Sequence, residues 1–74
     1  MTEKHIKLSP DTVVTFVKKS QQCDFNIDIS YGHTEVDAKS LLGMLSLDFS
    51  RIMHVKYYGK NEDLEGYINE LAVE

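Results

Sequence analysis

Phe25, Ile27 and Ile29 alternate with Asn26, Asp28 and Ser30, a period of two that suits a strand with one dry face and one wet face. The alternation returns at Met53, Val55 and Tyr57, separated by His54 and Lys56. It recurs more briefly at residues 4–8, where Ile6 and Leu8 share a face. Strands that are apolar on one side need a single cover, so the chain is expected to build a sheet with its other face open to water.

The segments between these strands carry helix signals. Ser9 is placed to cap a helix, Pro10 suits its first position because the missing N–H has no partner there anyway, and Asp11 complements the dipole. Val13, Val14, Phe16 and Val17 supply an apolar stripe, and Lys18 and Lys19 fall near the favourable carboxyl end. Gly32-His33 separates the central strand from Thr34-Glu35-Val36, with glycine at the first central position of a type II′ hairpin. A short apolar helix is expected from Ser40 to about Leu47. Gly59-Lys60-Asn61 ends the later strand, and a last helix follows with Glu62 and Asp63 in its first turn and Leu64, Tyr67, Ile68 and Leu71 on one face, weakened by Gly66. The order is βαββαβα. The predicted fold is an α+β open-faced β-sandwich, a four-stranded antiparallel sheet covered on one face by three helices, forming a single domain over residues 1–74.

Charge and composition exclude several classes of function. Eight basic residues against twelve acidic ones give a net charge of −4, and only Lys18 and Lys19 are adjacent cations, which argues against direct binding to nucleic acid. No apolar run approaches the ~20 residues that span a bilayer, and the start of the chain lacks a secretory apolar region, so no membrane insertion and a cytoplasmic location are expected. The lone Cys23 has no second thiol or neighbouring cation in sequence and reads as inert. The three histidines lack the spacing with carboxylates or Cys23 that a metal site needs, so neither a metal nor a cofactor is expected.

The segment Val36 to Leu47 carries the most specific functional signal. Ser40 stands at a helix start, where backbone N–H groups and the dipole favour negative charge. The same residue can therefore cap the helix or hold a phosphate. Leu41, Leu42, Met44, Leu45 and Leu47 are more apolar residues than one short helix can bury, so some are expected to face solvent.

The run Lys39-Ser40-Leu41-Leu42-Gly43-Met44-Leu45-Ser46-Leu47, preceded by a Tyr31-Gly32 turn and Val36, resembles the serine-phosphorylation signature of the HPr family. HPr proteins are the histidine-containing phosphocarriers of the bacterial phosphoenolpyruvate-dependent sugar phosphotransferase system. The resemblance covers roughly residues 4 to 72 and implies the same element order. It implies that Ser40 is a regulatory serine for an HPr kinase/phosphorylase, that the phosphorylated form is corepressor for a catabolite-control transcription factor, and that Leu41, Leu42, Met44 and Leu45 form a partner-binding surface. His33 stands where the family usually has a small or acidic residue.

The resemblance also implies a histidine between the first strand and the first helix, followed two residues later by an arginine and then a proline. Counted back from Ser40, the histidine and arginine positions hold Ser9 and Asp11, so the family's active-site pair is lost. His5, His33 and His54 are expected in strands and a turn, and the only arginine is Arg51. Keeping the serine without the histidine is similar to the HPr-like catabolite-repression protein Crh. The resemblance therefore implies a non-enzymatic, non-catalytic regulatory or binding protein. Two alternatives stand beside it: a phosphocarrier that receives phosphoryl groups from Enzyme I on an unconventional acceptor, and a degenerate paralogue with neither activity.

Overall fold

A computed structural model describes residues 1–73. Its elements are β1 (Thr2–Ile6), α1 (Pro10–Gln21), β2 (Ile27–Tyr31), β3 (Thr34–Asp37), α2 (Leu41–Leu45), β4 (Met53–Tyr57) and α3 (Glu62–Leu71). The strands form one antiparallel sheet in the order β1-β4-β2-β3, so the first and last strands in sequence lie side by side. The βαββαβα order, the four-stranded antiparallel sheet and the three helices agree with the expected architecture.

The core forms where the apolar halves of the alternating strands meet the helix stripes. Ile6, Ile27, Ile29, Met53 and Val55 from the sheet are fully buried with Val13 and Phe16 of α1, Met44 of α2 and Leu64 of α3. Val14, expected in the α1 stripe, is instead exposed at the margin of the helix. The opposite sheet face carries the polar partners in register: His5 faces His54, which faces Ser30, while Glu3 faces Lys56, which faces Asp28.

Local chemistry accounts for most boundaries. Ser9 caps α1 with a reciprocal box, in which its Oγ accepts the Thr12 N–H at 3.2 Å and its own N–H donates to Thr12 Oγ1 at 2.9 Å. The β2–β3 turn is the expected II′ type: Gly32 has φ of +55°, and His33 does not share the positive φ that a I′ turn would require. Three elements differ from expectation by two residues. β2 starts at Ile27 rather than Phe25, which lies in the preceding bend with its ring stacked on Tyr57. β1 covers residues 2–6 rather than 4–8, because the Lys7 N–H is drawn to the Leu71 carbonyl at 3.1 Å and Ile6 forms a bridge with Ala72. Leu8 is buried from the link that follows, not from the strand. α2 ends at Leu45 rather than Leu47, since Ser46 turns its N–H and Oγ back onto the Gly43 carbonyl and Leu47 drops into the core.

Within α3, a Cβ added at Gly66 would meet nothing within 4 Å. Gly66→Ala is therefore expected to raise the unfolding free energy by about 0.5–1 kcal/mol, the usual cost of an exposed helical glycine. An unchanged or lower urea midpoint would contradict this.

Candidate functional site

The loop from β3 into α2 is tied down at several points. Ala38 is fully buried and donates its N–H to the Ile27 carbonyl at 2.9 Å. Asp37 Oδ1 accepts the Lys39 N–H at 2.9 Å, and the Asp37 carbonyl accepts the Ser40 N–H at the same distance. The Lys39 ammonium donates to the Cys23 carbonyl at 2.8 Å, and Gln21 Nε2 donates to the Lys39 carbonyl at 3.0 Å, joining this loop to the end of α1. The result is an ordered approach to an exposed serine.

Ser40 is the N-cap of α2 in extended backbone, and its Oγ accepts the Gly43 N–H at 3.2 Å. Gly43 is fitted to this arrangement, because a Cβ there would lie 3.2 Å from that oxygen. α1 has Asp11 in its first turn, and α3 has Glu62, Asp63 and Glu65. The first turn of α2 contains no carboxylate, so its partial positive charge is left uncompensated.

The leucines beside Ser40 divide by face. Leu42 is 83% exposed, Leu45 47% and Leu41 41%, whereas Met44 is 0% exposed. Met44 is therefore corrected out of the expected partner-binding set, because at this helical position it points into the core and no partner can touch it. Behind the leucines, the α2–β4 link is braced by the Asp48 N–H donating to Tyr31 Oη at 2.8 Å and by the Arg51 guanidinium 4.8 Å over the Tyr31 ring. Asp48 is held below the usual carboxylate range, chiefly by the hydroxyl and then the N–H of Ser50.

At the start of α1, Ser9 is engaged in its capping box and Asp11 lies exposed in the first turn. His5 lies on β1, His33 in the hairpin turn and His54 on β4, so none stands at a helix N-terminus. Cys23 is buried, and burial pushes its thiol upward despite Lys39 nearby. That neighbouring cation was not visible in the local sequence.

Residues 12–73 match the model of the family described as PTS HPr component phosphorylation site. The chain belongs to the HPr family. The matched span includes the whole loop and helix around Ser40 and begins just after Asp11. No curated protein matches the sequence. Among solved structures the chain is similar to HPr-C-His from Thermoanaerobacter tengcongensis, with TM-score 0.75, 23% identity, and 95% of this chain and 93% of that one covered. It is similar to the phosphocarrier protein HPr from Bacillus anthracis, with TM-score 0.71, 20% identity and 95% of each chain covered. Bacillus subtilis Crh, the catabolite-repression protein, aligns with TM-score 0.64 and 20% identity over 93% of this chain and 87% of that one. These likenesses establish the open-faced sandwich of HPr type, and the family is one of phosphocarriers of the phosphotransferase system rather than of enzymes.

Proposed function

We propose that this HPr-family chain is a non-catalytic regulatory protein of the phosphotransferase system, switched by phosphorylation at Ser40 and docking partners through Leu41, Leu42 and Leu45. The observation that carries this reading is an exposed N-cap hydroxyl on a first turn free of carboxylates, next to three solvent-facing leucines. A phosphate there adds a charge of about −1.5 to −2 where the helix end favours it, and it alters the surface that a partner would read. The partners are an HPr kinase/phosphorylase, which installs and removes the phosphate, a catabolite-control transcription factor, which reads it, and Enzyme I. Such partners imply a cytoplasmic site of action. The lack of a carrier function is supported by Ser9 at the α1 N-cap, whose hydroxyl bonds only to Thr12 among the described residues and so has no base in hydrogen-bond contact.

Incubation with HPr kinase and ATP is expected to add about 80 Da, the mass of one phosphoryl group. Ser40→Ala is expected to abolish the gain. Wild-type protein that gains no mass would refute the switch. An acid-labile adduct formed with phosphoenolpyruvate and Enzyme I would overturn the non-catalytic part and identify a carrier instead.

A further inference from the structure

We propose that His5 and His54 form a two-nitrogen chelate for a divalent transition-metal ion of the zinc, nickel or copper class. The two residues are distant in sequence and are direct register partners on adjacent antiparallel strands, β1 and β4. Their rings lie 5.1 Å apart, centroid to centroid, and only 20° from parallel. Both are on the sheet face that no helix covers: Ile6 and Met53, their neighbours on the opposite face, are fully buried in the core.

Direct cross-strand partners hold their Cβ atoms ~5 Å apart, and the ladder fixes both backbones. Only side-chain torsions must therefore adjust to bring one nitrogen of each ring to about 2.0–2.1 Å from a shared ion. Glu3 supplies the orienting partner. Its Oε1 lies 2.7 Å from His54 Nε2, and a neutral imidazole that donates its Nε2 proton to that carboxylate leaves the Nδ1 lone pair for a metal. Imidazole pairs suit zinc, nickel and copper, whereas calcium and magnesium take oxygen ligands. No group of three or more histidine, cysteine or acidic side chains converges on one point among the described residues, so water completes the coordination sphere.

Titration of the full chain with zinc or nickel chloride, followed by calorimetry and by backbone amide NMR, tests the site. One-to-one saturable binding is expected, with shifts centred on β1 and β4. His5→Gln and His54→Gln should each weaken it at least tenfold, and Glu3→Gln should weaken it by about tenfold, as loss of an orienting carboxylate does. His33→Gln, in the remote hairpin turn, should leave it unchanged. Undiminished affinity in His5→Gln, or a loss that follows His33→Gln, would overturn the proposal. His5 is exposed, so its substitution tests the idea even if His54→Gln disturbs the sheet.

Discussion

Gly59→Ala is expected to lower the unfolding free energy by about 2–4 kcal/mol, combining backbone strain with overpacking of a filled site. The glycine has φ of +151°, a conformation that disfavours any side chain. A Cβ built there would lie only 2.3 Å from Phe25 Cδ1 and 2.4 Å from its Cγ, so the ring itself must move. Phe25 is not free to swing away without loss, because it stacks on Tyr57 at 5.6 Å and 23° between planes. Tyr57 is in turn buried at the end of β4. For a domain of this size the change corresponds to a fall in Tm on the order of 10–25 °C. Urea and thermal unfolding would measure it, and a shift under 0.5 kcal/mol would mean that Phe25 yields at no cost.

Leu42→Gln is expected to leave the fold intact and to impair partner docking by about 10- to 100-fold. At 83% exposure Leu42 contributes little to the core, and glutamine is a good helix former, so stability should stay within about 0.5 kcal/mol. A partner that covers this side chain gains about 1.5–3 kcal/mol from burying it, and glutamine forfeits that gain. The readout is kcat/KM for phosphorylation of Ser40 by HPr kinase. Val14→Gln is the matched control, since Val14 is 39% exposed on a different helix. Equal losses in the two variants would remove the α2 leucines from the docking surface.

Much of the fold was legible because its signals are local. The period-two runs at Phe25–Ile29 and Met53–Tyr57, the Ser9-Pro10 helix start and the Gly32 turn each depend on residues a few positions apart, and each became the element expected of it, except that β2 begins only at Ile27. The end of β1 was not legible, because it is decided by the Leu71 carbonyl and Ala72 from the far end of the chain. Gly59 read as a strand breaker, whereas its larger role is to admit the Phe25 ring against the backbone. Lys39 read as part of a motif, and its amine was found bonded to the Cys23 carbonyl.

The candidate site divides in the same way. The cap at Ser40 and the excess of leucines after it follow from spacing within one short segment, so residue order alone dictates that an anion-favouring serine stands beside more apolar residues than α2 can bury. Which of them stay outside depends on how α2 docks. α2 packs against α1 and β3, and that docking turns Met44 inward while leaving Leu41, Leu42 and Leu45 to solvent. The pairing of His5 with His54 likewise exists only after β1 has docked beside β4. Period and capping are properties of neighbouring residues, whereas facing and register arise when distant segments share one core and one hydrogen-bond ladder.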